Sequence, residues 1–204
     1  MMERIVLIGG GGHAHSIMDT LIRCGQYEIA GYTERCGEKS MGTLRMIGTD
    51  DDLERIYSSG IQNAAVAIGY LGKGDIRERI YIRLKQIGYR MPVIIDTSAV
   101  ISDSVSIGEG TYVGKRAVVN ANTQVGKMCI VNTGTIVEHD TDIGSFSHLA
   151  PGSVLCGGVR LGKGVLVGAN ATVIQGVSIG DGAVAGAGTT VRHDIERGQV
   201  YYGR

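Results

Sequence analysis

The most distinctive chemical feature of the sequence is a cluster of acidic residues and histidines beyond the middle of the chain. Glu138, His139 and Asp140 are adjacent, and His148 follows closely, although the chain has only 5 histidines. A histidine beside a carboxylate is the arrangement of a general base, because the carboxylate fixes the tautomer and stabilises the imidazolium that forms. We therefore predict proton abstraction by His139, with Asp140 as its partner and Glu138 as the alternative.

A second feature with chemical potential is a run of four glycines near the N-terminus. The run, residues 9–12, follows an apolar strand at residues 5–8 and precedes a helix-like stretch at residues 16–24. Such a turn presents backbone N–H groups and the positive end of a helix to phosphate. Ala14 replaces the third glycine of G-x-G-x-x-G, and the segment before Pro92 supplies only one mononucleotide half. A mononucleotide or nucleotide-sugar site is therefore favoured over an NAD site.

The elements that carry the histidine cluster follow a period of six residues. From Ile95 to Val191 every sixth residue is aliphatic, and the residue four positions later is small or β-branched. The residue one position later is often Gly or Asn, which tolerate unusual dihedrals. A period of six fits neither a 3.6-residue helix nor a hairpin meander, so we predict a solenoid with short strands and a corner at each Gly or Asn.

The composition agrees with this solenoid and excludes several classes of protein. The 204 residues include 33 Gly, 1 Phe and no Trp, so a large aromatic core is excluded. Lys plus Arg and Asp plus Glu are both 20, and no basic stripe indicates nucleic-acid binding. No apolar run approaches the roughly 20 residues of a membrane helix. With no export signal, we expect a cytoplasmic protein with reduced thiols at Cys24, Cys36, Cys129 and Cys156.

The first 92 residues show a different organisation. Strand patterns at residues 5–8, 28–32 and 64–68 alternate with helix patterns at residues 16–24, 50–57 and 75–87. This alternation is typical of a parallel α/β unit. We therefore predict a Rossmann-like βαβαβ domain at residues 1–92, followed by a β-helix domain at residues 93–204.

Two motifs resemble known families. The pattern [LIV]-G-x-x-[STAV]-x resembles the hexapeptide repeat of left-handed parallel β-helices, in which three hexapeptides form one triangular coil. A strand followed by GGGGHAHSIMD, then GYTE, VAIGYLGKGDIRERI and an uninterrupted hexapeptide domain resembles the NeuD/PglD-type sugar acetyltransferases over essentially the whole chain. The resemblance implies a homotrimer that uses acetyl-CoA without a metal. It also implies that the α/β domain binds the UDP part of a nucleotide sugar.

Site residues are carried over from the resembling family position by position. The N-x6-H-[ED] pattern implies His139 as the base, Asp140 as its carboxylate and Asn132 as a contact to acceptor or base. Where the family often has paired Asp at the end of the second strand, this chain has Glu34 and Arg35. The implied substrate-binding residues are Gly10, Gly11, Gly12, His15, Glu34, Gly69 and Tyr70. The implied acetyl-CoA contacts are His148 near the thioester, the backbone N–H groups of Gly157 and Gly158 at the acetyl oxygen, and Lys163 and Arg192 at the phosphates.

The function expected from these observations is acetyl transfer to the amine of a UDP-linked amino-dideoxysugar used in bacterial glycan synthesis. Attack on the thioester is expected to be direct, since no G-x-S-x-G nucleophile motif is present. The alternatives are O-acetylation of a sugar of the sialic-acid type, a γ-type carbonic anhydrase, and a non-catalytic hexapeptide scaffold. The carbonic anhydrase needs three imidazoles around a metal, and only His139 and His148 are well placed.

Overall fold

A computed structural model describes residues 2–35, 37 and 41–203. The chain forms two compact units. One consists of Met1–Gly69 with Asp75–Ile94, and the other of Tyr70–Gly74 with Ile95–Arg204. The short segment Tyr70–Gly74 thus groups with the C-terminal unit, although both of its sequence neighbours belong to the first. The predicted boundary after residue 92 did not anticipate this excursion.

The first unit is a parallel sheet with helices in its connections. The strands follow the order β3-β2-β1-β4, and all pairs are parallel. The predicted strands and helices are present, and the additional short strand β3 carried too few residues for a recognisable pattern. The elements in chain order are β1 Glu3–Ile8, α1 Gly12–Cys24, β2 Tyr27–Thr33, β3 Met46–Gly48, a 3-10 turn Asp50–Asp52, α2 Leu53–Ser58, β4 Asn63–Val66 and α3 Ile76–Ile87.

The apolar pattern explains how these elements pack. Ile5, Val6, Leu7 and Ile8 have no exposed surface, as expected for a central parallel strand that is covered on both faces. Helix α1 buries Ala14, Ile17 and Leu21, which share one helical face. Helix α1 therefore begins at the last glycine of the run and is anchored by its apolar stripe.

The second unit is a β-helix built from two-residue strands that stack in three sheets. Face 1 contains β5 Ile94–Ile95, β8 Tyr112–Val113, β11 Ile130–Val131, β14 His148–Leu149, β17 Leu166–Val167, β20 Val184–Ala185 and β22 Val200–Tyr201. Face 2 contains β6 Val100–Ile101, β9 Val118–Val119, β12 Ile136–Val137, β15 Val154–Leu155, β18 Thr172–Val173 and β21 Thr190–Val191. Face 3 contains β7 Ser106–Ile107, β10 Gln124–Val125, β13 Asp142–Ile143, β16 Arg160–Leu161 and β19 Ser178–Ile179.

The strand pairing confirms the predicted repeat. Within each face a residue pairs with the residue three hexads later, as Gln124 does with Asp142 and Ile136 with Val154. Only the last coil departs from this spacing, since Val184 pairs with Val200. The predicted fold class, an α/β domain followed by a parallel β-helix of hexapeptide repeats, is therefore confirmed.

From β8 to β21 the second residue of each β-helix strand is buried, and these residues form the core. Val113, Val131, Val167 and Val173 have no exposed surface. Small polar residues fill the remaining inner positions and bond to the backbone of the neighbouring coil, as Thr111 Oγ1 does in donating to the carbonyl of Gly126 at 2.8 Å. The interior is therefore a narrow aliphatic column in which inner hydroxyl groups bond to the backbone, although Ser153 Oγ is buried without a hydrogen-bond partner in the described residues.

The structure corrects the predicted position of the corners. Every sixth residue from Gly110 to Gly188 has positive φ, and these residues lie three positions after the inward aliphatic residue rather than one. The glycines one position after it are required for a different reason. A Cβ atom at Gly126 would lie 2.6 Å from the backbone nitrogen of Ser145 on the next coil. Hence one set of glycines supplies the left-handed corner and another allows close stacking of coils.

Two further predictions concern cysteines and membranes. Within the described residues Cys24, Cys129 and Cys156 form no disulfide, and Cys36 lies outside those residues. In the described part of the chain, no helix is long and apolar enough to cross a membrane.

Candidate active site

The central feature of the β-helix unit is a hydrogen bond that joins the ring of His139 to the carboxylate of Asp140. The distance from His139 Nδ1 to Asp140 Oδ2 is 2.7 Å, and the two side chains are 62% and 59% exposed. Because an ionised carboxylate only accepts, Nδ1 carries a proton, and in the neutral imidazole the lone pair is therefore on Nε2. His139 Nε2 has no hydrogen-bond partner in the described residues, so this imidazole has the tautomer and the access of a general base.

Asp140 occupies one of the left-handed corners of the β-helix. Its φ is 57°, a conformation that Asp and Asn adopt more readily than most residues. The corner directs its carboxylate to two donors, since Asn122 Nδ2 also donates to Oδ1 at 3.1 Å. The hydrogen bond from His139, and secondly that from Asn122, lowers the pKa of the Asp140 carboxyl below its ordinary value of 3.8. Asp140 is therefore ionised at neutral pH.

The ring of His139 lies against the backbone of the next coil at Gly157. A Cβ atom at Gly157 would be 2.7 Å from His139 Cε1 and 2.8 Å from Nε2, so glycine is required for the ring to lie there. The N–H of Gly158 donates to the carbonyl of His139 at 2.9 Å. Within the described residues the N–H of Gly157 has no acceptor. Of the two predicted donors to the acetyl oxygen, the geometry leaves Gly157 available and engages Gly158 within the protein.

Glu138 was the alternative partner for His139. Its backbone N–H donates to the carbonyl of Leu155 at 2.9 Å, and its carbonyl accepts from Thr123 Oγ1. In the described residues the imidazole of His139 donates its hydrogen bond to the carboxylate of Asp140. Of the two candidate partners, the structure therefore pairs His139 with Asp140.

Asn132 and His148 form a separate cluster. Asn132 Nδ2 lies 3.2 Å from His148 Nε2, and His148 Nδ1 lies 2.6 Å from the carbonyl oxygen of Tyr70. His148 is 8% exposed. Asn132 was expected to contact the acceptor or the base, yet its amide bonds to His148. His148 was expected near the thioester, yet both of its ring nitrogens are engaged within the protein.

The predicted contacts to the phosphates of CoA lie at two exposed positions. Lys163 Nζ lies 5.6 Å from the centre of the Phe146 ring, which is within range of a cation–π interaction. Arg192 is exposed next to the inward residue Val191. Both side chains are exposed, and their contact with the phosphates of CoA stays a prediction.

The glycine turn of the α/β unit has the geometry of an anion-binding helix terminus. Helix α1 begins at Gly12 with Gly11 as N-cap, no side chain caps it, and no acidic residue lies in its first turn. Cβ atoms at Gly11 and Gly12 would have no neighbour within 4 Å. The space around Gly11 and Gly12 at this end of α1 is therefore open, which suits a phosphate.

The carboxylate of Glu34 reaches this turn rather than pointing away from it. Glu34 Oε2 accepts from the N–H of Gly10 at 3.1 Å, and Oε1 accepts from the N–H of Arg35 at 2.9 Å. Glu34 was expected at the edge of a nucleobase. In the structure it ties the end of β2 to the glycine turn. His15 is exposed on the first turn of α1, and Gly69 is exposed after β4.

The α/β unit contains a cavity of about 480 Å³ that no sequence motif indicated. Leu53, Ile76 and Ile80 contribute apolar surface to it. Its charged lining comes from Arg35, Asp50, Asp51, Arg79 and Arg83. These residues come from three separate stretches of the chain, so no local motif signalled the cavity. Only Arg35, which directly follows Glu34, stood beside a predicted site residue.

Across the described residues, no group of three or more His, Cys, Asp and Glu side chains is arranged to hold a metal ion.

Comparison with known proteins assigns both units. The family model described as the PglD N-terminal domain matches residues 4–84, and the hexapeptide repeat of succinyl-transferase matches residues 104–139 and 152–192. No protein of the curated set matches the sequence.

Several solved structures are similar over almost the full chain. A histidine-to-alanine variant of GDP-perosamine N-acetyltransferase from Caulobacter crescentus, in complex with CoA and GDP-perosamine, is 32% identical. The match covers 98% of this chain and 93% of that one, with a TM-score of 0.92. The acetyltransferase domain of PglB from Neisseria gonorrhoeae FA1090, in complex with acetyl coenzyme A, is 31% identical over 98% and 96%, with a TM-score of 0.91. WeeI from Acinetobacter baumannii AYE is 23% identical over 100% and 97%, with a TM-score of 0.85, and supports the fold.

A PglD-type α/β unit followed by a hexapeptide β-helix defines a hexapeptide-repeat acyltransferase. With identity above 30% to two solved sugar acetyltransferases across nearly their whole length, the chain belongs to the PglD/NeuD-type family of acetyl-CoA-dependent sugar acetyltransferases.

Proposed function

We propose that this protein transfers the acetyl group of acetyl-CoA to the amine of a nucleotide-linked amino-dideoxysugar, with His139 as the general base. The observation that carries the proposal is the His139–Asp140 pair, because its 2.7 Å hydrogen bond places a proton on Nδ1 and makes Nε2 of the neutral, exposed ring the proton acceptor. The product would be a precursor for bacterial glycan synthesis. The relatives support an amine acceptor, since the Caulobacter enzyme is an N-acetyltransferase solved with GDP-perosamine.

The proposed reaction is a direct transfer. The amine nitrogen attacks the thioester carbonyl carbon while His139 Nε2 takes one of its protons, and Asp140 stabilises the imidazolium. The N–H of Gly157 lies beside the ring and is available to the oxyanion that forms on the carbonyl oxygen. Collapse of the tetrahedral intermediate breaks the C–S bond, and the imidazolium returns the proton to the sulfur of CoA.

The α/β unit is proposed to hold the nucleotide. The open N-terminus of α1 at Gly11 and Gly12 suits the pyrophosphate. The adjoining sequence Glu34-Arg35 leads from this turn to the 480 Å³ cavity, which has apolar and charged surface for a base and ribose. The family resemblance suggests UDP, and the Caulobacter relative suggests GDP. An acetyl-transfer screen with sugars linked to different nucleotides determines which nucleobase the protein binds.

We further propose that the protein acts as a homotrimer through face 2 of the β-helix. The outward residue of its first four strands is apolar in each case: Val100, Val118, Ile136 and Val154. Val100 is 63% exposed and Ile136 is 37% exposed, whereas the outward positions of face 3 are polar. Packing of copies around a three-fold axis would cover this column and form a groove for acetyl-CoA.

The proposed function is tested by an acetyl-transfer screen that measures thiol release with amino sugars linked to UDP, GDP and dTDP, and with free sialic acid. We expect turnover with a nucleotide-linked amine, and a loss of kcat of at least about 10²-fold in His139→Ala with the fold unchanged. His193→Ala, which removes an exposed histidine near the C-terminus, serves as the matched control. Turnover restricted to free sialic acid would indicate O-acetylation instead. Wild-type kcat in His139→Ala would remove His139 as the base.

A further inference from the structure

The side chain of His148 is neutral and fully engaged inside the β-helix unit. A carbonyl oxygen only accepts, so the 2.6 Å contact with the Tyr70 carbonyl requires a proton on His148 Nδ1. Asn132 Oδ1 accepts from the N–H of Thr133 at 2.8 Å, which turns the Asn132 NH₂ group towards His148 Nε2. Nε2 must therefore accept and carries no proton. Neither ring nitrogen is left to contact a thioester in this arrangement.

The partner of His148 Nδ1 is a segment that lies across the outer side of face 1. Tyr70–Gly74 belongs to the β-helix unit although residues 69 and 75 belong to the other. The Tyr70 hydroxyl donates to the carbonyl of Gly164 at 2.9 Å. Two hydrogen bonds thus hold the segment. The carbonyl of Tyr70 accepts from His148, and the hydroxyl of Tyr70 donates to Gly164.

Apolar contacts also hold the segment Tyr70–Gly74 against face 1 of the β-helix. A Cβ atom at Gly72 would lie 2.7 Å from Val184 Cγ2 and 3.3 Å from Leu166 Cδ2, so the backbone rests directly on these side chains. His148 pairs with Leu166, and Leu166 pairs with Val184, so the three contacts fall on three successive coils. The φ of Gly72 is +80°, which a side chain would strain.

We propose that His148 is a positioning residue that clamps the segment Tyr70–Gly74 onto the β-helix and orients the amide of Asn132, instead of contacting acetyl-CoA. This role rests on the proposed function and on the family resemblance, which implies Tyr70 as a substrate contact and Asn132 as a contact to acceptor or base. His148 joins these two groups through one neutral imidazole. Its loss therefore disturbs acceptor binding and alignment while the His139–Asp140 pair remains intact.

The first test is proteolysis of the protein without substrates. Lys73 is exposed, and Leu71 before it is 86% exposed, so trypsin reports release of the segment through cleavage after Lys73. We expect about tenfold or faster cleavage in His148→Ala and in Tyr70→Phe, because each loses a hydrogen bond that holds the segment closed. His148→Asn keeps a donor for the Tyr70 carbonyl and is expected to restore resistance. His193→Ala controls for removal of an exposed histidine.

The second test separates positioning from a thioester contact by steady-state kinetics. We expect His148→Ala to lower kcat/KM for the acceptor about tenfold or more while the Kd of acetyl-CoA is unchanged. The double variant with Tyr70→Phe should lose less than the product of the single effects, since both act on one segment. Wild-type resistance to trypsin in His148→Ala, or a loss confined to the KM of acetyl-CoA, would overturn the proposal. The proteolysis needs no acceptor, so it decides the clamp even if the screen finds no substrate.

Discussion

At the residue scale, the site depends on one departure from the regular repeat. Eight of the 14 corner residues from Gly110 to Gly188 are glycine, and residue 140 is one of the six that are not, an aspartate with φ 57°. That corner places a carboxylate beside the adjacent imidazole, and the next coil supplies a glycine where the ring needs space. Asp140 thus has a structural role as a corner residue and a chemical role as the partner of His139.

Asp140→Asn tests the chemical role while keeping a residue that tolerates the corner. An amide can donate to Nδ1 and so favours the tautomer with the proton on Nε2, which cannot accept one from the acceptor. We expect kcat to fall by about 10²-fold with wild-type secondary structure and with unchanged binding of acetyl-CoA. Arg116→Gly, at another corner with φ 56°, is the control and should keep full activity. Equal kcat in wild type and Asp140→Asn would assign the carboxylate no part in the reaction.

The same variant has a predictable effect on stability as a function of pH. The pKa of Asp140 is lowered in the folded protein, first by the hydrogen bond from His139 and then by that from Asn122. A depressed carboxyl pKa stabilises the fold above the ordinary value of 3.8 and loses this contribution as the pH falls through the lower, folded value. In urea unfolding, the difference between wild type and Asp140→Asn should therefore be larger at pH 7 than in strong acid. A difference that grows on acidification would have the wrong sign.

At the element scale, the two kinds of glycine make different demands on the chain. A corner glycine supplies a positive φ, which Asn also adopts, whereas the glycine after an inward aliphatic residue makes room for the next coil. Two-residue strands have no stability alone. They persist because every coil stacks closely on its neighbours, so the fold is sensitive wherever that stacking is tight.

The two classes of glycine can be compared directly. Gly126→Ala places a Cβ 2.6 Å from the backbone nitrogen of Ser145, and we expect a destabilisation of about 1–3 kcal/mol. Gly182→Asn changes a corner with φ +66° and no atom within 4 Å, and should cost less than about 1 kcal/mol. The free energies of unfolding from urea titrations measure both. Equal destabilisation by the two variants would contradict the division into corner and contact glycines.

At the scale of the whole molecule, the proposed trimer follows from the contrast of outer faces. Face 2 presents an apolar column, and the outward residues of face 3 include Gln124, Asp142 and Arg160. An exposed apolar column on a folded unit is typical of an interface. The same assembly would create the groove that acetyl-CoA occupies, so oligomeric state and cosubstrate affinity are expected to change together.

Ile136→Glu tests this assembly by placing a charge in the apolar column. We expect the trimer to dissociate and the affinity for acetyl-CoA to fall at least about tenfold, because burial of an unpaired carboxylate opposes association. Sedimentation equilibrium gives the mass, and calorimetry gives the Kd of acetyl-CoA. Gln124→Glu adds the same charge on face 3 and should leave both values unchanged. A trimer that survives Ile136→Glu would place the interface elsewhere.

The sequence by itself determined the architecture and indicated the position of the proposed base. A strict period of six is typical of short stacked strands with an inward aliphatic residue. The alternation of apolar strands and helices predicted the α/β unit, and the adjacency of His139 and Asp140 indicated the proposed base with its carboxylate. These features are local, so they can be deduced from order along the chain alone.

The tertiary structure decided which groups that are distant in sequence contact each other. The bond from Asn132 to His148, the capture of the Tyr70 carbonyl and the arrival of Glu34 at Gly10 join residues that are remote in sequence. It also showed that the glycines after the inward residues serve stacking rather than corners. Such contacts depend on which side chains the fold brings together. The hexad pattern predicts that coils stack, but it does not specify which side chains form hydrogen bonds between them.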